Sequence, residues 1–449
     1  MLCRSGYVVT ETTELKKELT VRPVASNDVP QPSFKVWRRV DGGRMLVPRF
    51  FGHDRFGPPP KDARRAPHSC GSLRFVGHLR PETRQTDAFE CGVRAFESHG
   101  GGVLSLPCGY GKSTMALAFA CHLKVRTMIV VHKEFLANQW VEKIKEFCPD
   151  SSIGRVQGPV CDIEGHDFVI ALIQTLSQKE FPKETFDSIG FLVVDEAHHI
   201  GAPAFSQFMF KLCPKWTLGL TATPERKDGL TRLLYWFLGP EFFRVERTAQ
   251  KSTRVEILQF HHEAFHEAPP VTRFGKINMP AMINQLTEIE ERNELILNTA
   301  RRALEAKRRV LILSDRRDHC FYLQSKLGDS VAGLYVGAMK EDELAISAQK
   351  SVVVATFQLA QEGLDIPVLD TVILSTPKSD IKQSIGRIMR ETKGKLNTPL
   401  IIDIVDAWSV FWSMARKRSV VYHAGGFEVV SEGPKTAPAP VAPAQCLFI

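Results

Sequence analysis

What the sequence lacks narrows its class first. No apolar run approaches the about 20 residues that a membrane-spanning helix needs; the strongest, such as Val310–Leu313, are strand-sized. The ten cysteines are scattered without one C-x-x-C pair, so neither a zinc site nor a disulfide framework is suggested. Free thiols in a chain of this length fit a reducing, intracellular setting. The N-terminus carries Arg4, Glu11 and Glu14 around no apolar core and does not read as a secretory signal. A dominant charge is missing too: 58 Lys and Arg stand against 50 Asp and Glu, and a net +8 is too mild to indicate a polyanionic partner alone. No repeat of solenoid length is present.

What remains is a soluble-looking chain of 449 residues, long enough for two or three domains. Residues 1–73 are rich in Pro, Gly and Arg and read as an N-terminal arm. Within it, Pro48–Pro60 mixes cations, aromatics and turn formers. That composition fits an irregular arm packed on the next domain, or an accessory nucleic-acid contact through Arg and Phe stacking. From 74 to 240, short apolar runs alternate with helical patterns: Val103–Leu106, Thr127–Val131, Phe168–Leu172, Phe191–Val194 and Thr217–Leu220 as strands, and Glu134–Phe147 as an amphipathic helix. Such alternation predicts an α/β lobe with a parallel sheet covered on both faces. Residues 241–284 show little periodicity and read as a connector. Alternation resumes over 285–420, with helix Ile289–Ala306 and strands Val310–Leu313, Ser351–Ala355, Thr371–Leu374 and Leu400–Val405 predicting a second lobe. The end, 421–449, turns Pro/Ala-rich from Glu432 and reads as a disordered tail.

Three separated segments carry chemistry. Pro107–Ser113 (PCGYGKS) follows a strand and opens a helix. Gly109 and Gly111 let backbone N–H groups curl around a phosphate, since a Cβ would block the approach. Lys112 is placed to reach the β- and γ-phosphates, and Ser113 to offer its hydroxyl to Mg²⁺. Pro107, Cys108, Tyr110 and Thr114 complete the loop. Leu106 occupies the position where the full phosphate-loop pattern has its outer glycine. The alternative is a glycine turn with an exposed lysine.

Asp195–His198 (DEAH) follows the run FLVV, so Asp195 and Glu196 sit at the carboxyl end of a strand, where open parallel sheets bind ligands. Asp195 suits Mg²⁺, and Glu196 suits orienting and deprotonating a water. His198 beside His199 could instead be a metal ligand, but no third ligand is spaced for it. In Gln383–Arg390 (QSIGRIMR), Arg387 and Arg390 lie three apart on a helix, and Gln383 shares their face. A guanidinium aimed at a γ-phosphate stabilises transition-state charge; the alternative is a solvated basic helix face.

The set PCGYGKS, DEAHH, GLTATPERKDGL, EGLDIP and QSIGRIMR resembles the superfamily 2 helicases. It is most similar to their XPB-like group and to the helicases of nucleocytoplasmic large DNA viruses, including the poxvirus transcript-release type. Val130–Trp140, Val169–Ser177 and Thr223–Leu230 carry the subgroup likeness, which runs from about Val47 to Trp412. The resemblance implies two tandem RecA-like lobes, ATP and Mg²⁺ in a cleft between them, and nucleic acid crossing both lobes on the opposite edge. It implies that Thr221, Thr223 and His198 couple hydrolysis to the strand, and that His132, Lys133, Gln174, Thr175 and Thr356 hold a nucleic-acid backbone, with Gln358 beside them. Asp365, in Glu362–Asp365, would link nucleotide to strand, and Gln383 would touch the nucleotide. One departure concerns adenine. The family reads it with a compact Leu-Arg-Pro-x-Gln, whereas here the segment is LRPETRQ and Gln85 comes two residues late. Either the register shifts or adenine specificity is relaxed.

The function implied is an ATP-dependent helicase or translocase acting on DNA in preference to RNA, associated with transcription or replication machinery. A viral origin would place it in the host cytoplasm, the nucleus or the virion. An RNA helicase, or a motor that releases transcripts without unwinding, is the alternative. A phosphate-loop ATPase unrelated to nucleic acid would leave Thr356–Arg390 without a role, and a silent scaffold would have no need of Lys112, Asp195, Glu196 and Arg390.

Overall fold

Short strands alternating with helices build both halves of the chain in the computed structural model, which describes residues 1–24, 31–107, 109–197, 202–222, 225, 228–245, 253–363, 366–389 and 397–432. The chain divides into two units, Met1–Arg247 and Thr248–Ile449.

The described residues among the first 56 hold more regular structure than their composition suggests. They hold β1 (Leu2–Cys3), β2 (Gly6–Thr10), α1 (Thr13–Glu18), β3 (Thr20–Val21), β4 (Phe34–Lys35), β5 (Arg38–Val40), β6 (Arg44–Val47) and α2 (Arg49–Phe56). An antiparallel sheet of order β1-β2-β6-β5 buries Tyr7, Leu15, Met45, Val47 and Phe51 in its own small core. Arg49 fixes this layer to the rest of the unit. Its buried guanidinium donates to the carbonyls of His99 (3.2 Å), Pro214 (3.2 Å) and Lys215 (2.9 Å). Phe50 and Phe51 are buried as well, so three residues of Pro48–Pro60 are committed to packing rather than to stacking on bases.

The first lobe continues with α3 (Gln85–Ser98), β7 (Gly101–Ser105), α4 (Lys112–Leu123), β8 (Thr127–Val131), α5 (Glu134–Phe147), β9 (Ile153–Gln157), β10 (Val160–Cys161), β11 (Phe168–Leu172), α6 (Ile173–Gln178), β12 (Phe191–Val194), α7 (Ala202–Met209), β13 (Trp216–Thr221), α8 (Thr231–Leu238) and β14 (Glu241–Arg244). Among the described residues the sheet order is β10-β9-β11-β8-β12-β13-β7-β14, parallel throughout except for the β9–β10 pair. The central strands are buried on both faces, which is why they read as continuous apolar runs. α4 is apolar nearly all round and lies buried from Met115 to Cys121. α5 buries only Leu136, Ala137, Trp140 and Ile144, one stripe at helical spacing.

The second unit holds β15 (Arg254–Phe260), α9 (Met279–Glu288), α10 (Glu290–Glu305), β16 (Val310–Ser314), α11 (Arg317–Leu327), β17 (Ala332–Tyr335), α12 (Glu341–Ala348), β18 (Val352–Thr356), α13 (Phe357–Gly363), β19 (Thr371–Leu374), α14 (Lys382–Ile388), β20 (Leu400–Asp406), α15 (Phe411–Ala424) and β21 (Glu428–Glu432). Its sheet, of order β17-β18-β16-β19-β20-β15-β21, is wholly parallel. Residues 241–284, expected as a connector, supply an edge strand to the first sheet (β14) and an inner strand to the second (β15). Two buried ion pairs tie helices to β20. Arg292 of α10 grips Asp406 with both arms (2.7 and 2.9 Å), and Arg418 of α15 grips Asp403 (2.9 Å). Each unit is thus a parallel α/β lobe of RecA-like type, and residues 57–73 carry no helix or strand apart from one isolated bridge from Leu2 to Asp62 and one from Ser69 to Val125.

Candidate nucleotide and nucleic-acid site

The nucleotide candidates gather at the carboxyl ends of β7 and β12, which are separated by β13. β7 gives way to a loop whose described glycines take positive φ, +86° at Gly109 and +80° at Gly111. Gly111 caps α4, so the helix N-terminus opens directly under the loop. A Cβ on Gly111 would come within 2.5 Å of Gln85 Nε2, so the tightness of the cradle depends on glycine. Pro107 accepts from the Tyr110 N–H (3.2 Å), closing a turn. Ser113 and Thr114 fall in the first turn of α4, half-buried.

Gln85 follows the segment that departs from the family's adenine pattern. That segment holds a 3₁₀ turn, Pro81–Thr83, followed by Arg84 in the left-handed region at φ 57°. Gln85 then enters α3 buried, 1% exposed. Its side-chain oxygen accepts from the Arg80 N–H (2.8 Å), and its amide donates to the Tyr110 carbonyl (2.7 Å). One N–H and one lone pair of the carboxamide remain beyond these bonds. Arg80 adds a hydrogen bond to the Gly109 carbonyl (3.2 Å).

Across the sheet edge, Lys112 Nζ at the start of α4 lies 3.5 Å from a carboxylate oxygen of Glu196, which follows β12, and donates to the Leu106 carbonyl (3.3 Å). Asp195 is 8% exposed. Its two oxygens accept from the Trp140 indole N–H (2.9 Å) and from the Glu196 N–H (2.9 Å). Burial, then the neighbouring Glu196 charge, push its pKa up to about 6, against the pull of Trp140 and Lys112. Glu196 itself holds φ +44°, a left-handed conformation costly for a side chain with a Cβ, of the kind that collects at functional sites. Thr221 ends β13, fully buried, and its carbonyl accepts from the Leu106 N–H (3.0 Å). Trp140 went unassigned in the sequence reading. The available signal was a lone tryptophan on the buried stripe of α5, since a buried indole N–H needs an acceptor.

Among the described residues no group of three or more His, Cys, Asp or Glu converges on a metal site. A divalent ion at Asp195 would therefore take most ligands from phosphate and water, with the Ser113 hydroxyl as a second protein oxygen. That is the habit of Mg²⁺, so the residues fit that ion.

The strand-binding candidates follow β8 and β11. They lie at the same carboxyl ends of the sheet as the nucleotide candidates. The Gln174 amide donates to the His132 carbonyl (2.8 Å), and the Thr175 hydroxyl accepts from the Gly158 N–H (2.9 Å). Lys133 caps α5, and burial lowers its pKa. In the second unit Thr356 ends β18 and Gln358 is exposed on α13. Gln383 and Arg387 lie on α14, where only their backbone is described; the helix ends at Ile388. Cys108, His198, Thr223, Asp365 and Arg390 lie outside the described residues.

Comparison with known proteins agrees with the motif set. The family model for the res subunit of type III restriction enzymes matches residues 78–226. A protein of Acanthamoeba polyphaga mimivirus, named as a putative ATP-dependent RNA helicase, is 32% identical over 429 residues, 90% of this chain and 81% of that protein. A protein of the same description from African swine fever virus (isolate Pig/Kenya/KEN-50/1950) is 24% identical over 355 residues, 73% of this chain and 69% of its own. A protein named as a putative helicase of Frog virus 3 is 26% identical over 387 residues, 86% of either chain. Among solved structures, T4 UvsW aligns over 93% of this chain and 94% of its own at 17% identity, with a TM-score of 0.37; strand order, rather than that superposition, defines the fold. The chain belongs to the superfamily 2 helicases, in the group found in nucleocytoplasmic large DNA viruses.

Proposed function

We propose that the chain is an ATP-driven motor that moves along or opens nucleic acid, with DNA preferred over RNA. The observation that carries the reading is the convergence of Lys112 and Glu196, 3.5 Å apart, beneath a glycine cradle at the carboxyl ends of two strands of one sheet. Lys112 neutralises terminal phosphate charge, and the backbone N–H groups of Gly109–Ser113 hold the phosphates against the α4 N-terminus. Glu196 accepts the proton of the attacking water. Asp195 and Ser113 would hold Mg²⁺, which supplies charge neutralisation at the phosphates when bound. Trp140 positions Asp195 by holding one of its oxygens. Gln85 braces the phosphate loop and offers its remaining donor and acceptor to adenine. Thr221, Thr223, His198 and Asp365 couple the nucleotide to the strand, with Gln383 at the nucleotide.

Arg387 and Arg390 supply transition-state cations from the second unit, which makes turnover depend on both lobes. His132, Lys133, Gln174, Thr175 and Thr356 grip the nucleic-acid backbone through phosphate contacts that set register rather than sequence. The preference for DNA rests on the TATPER and QSIGR segments. The RNA reading is favoured by the names of the mimivirus and African swine fever virus relatives.

ATP turnover compared across single-stranded DNA, duplex DNA and RNA tests the reading. Stimulation by DNA above RNA is the expected result, and equal turnover with and without any polynucleotide would overturn it. Lys112→Ala and Glu196→Gln should each abolish turnover, the second while retaining ATP binding. Hydrolysis surviving in Glu196→Gln would remove its assigned role.

A further inference from the structure

Two buried cysteines meet at the C-terminal ends of α4 and α5, the ends of those helices opposite to Lys112 and Lys133. Cys121 lies in the last turn of α4, and Cys148 caps α5. They are 27 residues apart in the chain, far outside a C-x-x-C spacing, yet their sulfurs are 3.5 Å apart. Cys121 is 8% exposed and Cys148 1%. The two helices pack against each other, and both cysteines belong to the apolar cluster that also holds Met115, Trp140 and Ile144.

A thiol is a weak donor and a weak acceptor, and here each sulfur takes the other as its partner. That contact separates the pair from other buried thiols. Burial pushes Cys70 and Cys320 up to about 12, which keeps them protonated and inert. The hydrogen bond from Cys121 instead holds Cys148 below the ordinary thiol value, against the effect of its burial. The same bond keeps the proton on Cys121. Cys148 is therefore the nucleophile of the pair, with a second thiol already in contact with it.

A disulfide needs a sulfur–sulfur distance of about 2.05 Å, so the pair must close by about 1.5 Å. Both residues stand at helix ends, where the last turn opens locally at low cost. Cys148 has already left helical geometry, at φ −139° and ψ 61°, and Pro149 and Asp150 after it are exposed. Closure and the entry of a small oxidant thus leave the sheet intact.

We propose that Cys121 and Cys148 are a modification site for small peroxides, a reversible dithiol–disulfide pair that staples the phosphate-loop helix to the helix whose Trp140 holds Asp195. The Cys148 sulfur attacks one oxygen of hydrogen peroxide. The O–O bond breaks, the departing oxygen leaves as water, and Cys148 becomes a sulfenic acid. The Cys121 sulfur then attacks that sulfur, so that the S–S bond forms, the S–O bond breaks and a second water carries off the Cys121 proton. The two thiols give up two electrons and the peroxide accepts them. The step needs neither ATP nor nucleic acid, so it stands or falls apart from the functional reading.

The test uses the full chain, reduced, freed of reductant and treated with a small excess of hydrogen peroxide. Remaining thiols are capped with iodoacetamide before digestion with trypsin under non-reducing conditions. Peptides Ser113–Lys124 and Glu146–Arg155 each carry a single cysteine. They should appear in the mass spectrum as one linked species that dithiothreitol separates. Oxidation should raise the melting temperature by roughly 5 °C, because the link constrains the unfolded chain, and dithiothreitol should reverse the rise. Cys121→Ala and Cys148→Ala should each lose both the linked species and the rise, while Cys161→Ala, at an exposed thiol, keeps them. Peptides that stay separate while Cys148 is converted to sulfinic acid would overturn the pair, as would links from Cys121 or Cys148 to other cysteines at equal abundance. A linked chain with the melting temperature of the reduced one would overturn the staple.

Discussion

Acidification should loosen the second unit through one buried imidazole. His319 on α11 is 3% exposed and sits in a chain of directed hydrogen bonds. Asn293 commits its amide N–H to the Thr287 carbonyl (2.9 Å), so its oxygen faces His319 Nε2 (2.9 Å) and must accept from it. That leaves His319 Nδ1 as the acceptor for the Ser314 hydroxyl (3.0 Å), whose oxygen also accepts from the Arg316 N–H (3.1 Å). The network is complete with a neutral ring. Burial first, then the Arg292 charge, hold the His319 pKa down to about 3. An unfolded histidine titrates near the ordinary value of about 6.5, so on acidification the unfolded chain takes the proton first. The associated stability is complete above about pH 6.5 and is lost progressively as pH falls toward 3. At pH 5 the difference amounts to about 2 kcal/mol. Hydrogen-exchange mass spectrometry on peptides spanning β16 and α11, corrected for the pH dependence of chemical exchange, reads it locally at pH 7.5 and pH 5. His319→Gln keeps a donor for Asn293 but cannot titrate. It should lower protection at pH 7.5 yet lose about 2 kcal/mol less than the wild type on moving to pH 5. Equal losses in the two proteins would refute the reasoning.

Arg49→Ala should destabilise the first unit by about 2–4 kcal/mol in urea titrations, because three carbonyls lose a buried charged donor together. It should leave nucleic-acid affinity unchanged, and a selective loss of affinity would return Pro48–Pro60 to a binding role. Gly111→Ala adds a Cβ within 2.5 Å of Gln85 at a residue with φ +80°. Binding of a fluorescent ATP analogue should weaken at least about tenfold, with the circular dichroism spectrum preserved. Wild-type affinity in that variant would mean that the loop does not need its present shape.

Much of the fold is legible residue by residue where elements are buried or strictly periodic. Strands Thr127–Val131, Phe168–Leu172, Phe191–Val194 and Thr371–Leu374 coincide with their apolar runs, and helix Glu134–Phe147 with its stripe. Parallel strands covered on both faces leave no polar alternation to confuse the reading. The N-terminal antiparallel sheet was not legible, because its strands run two to five residues within a Pro-, Gly- and Arg-rich stretch. β15 was hidden for another reason. Its role as an inner strand comes from pairing with β20 and β21, about 150 and 175 residues further along, which no local window contains.

The sequence by itself determined which chemistries are available: glycines before a helix, a lysine at its first turn, and two carboxylates after an apolar run. Only the tertiary structure decided which of them meet. Lys112 and Glu196 are 84 residues apart in the chain and 3.5 Å apart in space because both follow parallel strands to one sheet edge. Gln85 meets the phosphate loop through the Tyr110 carbonyl, 25 residues along the chain, and Asp195 and His319 leave their ordinary pKa ranges because distant segments exclude water from them. Residue type sets what a group can donate, accept or ionise, whereas proximity and dielectric are properties of non-local packing.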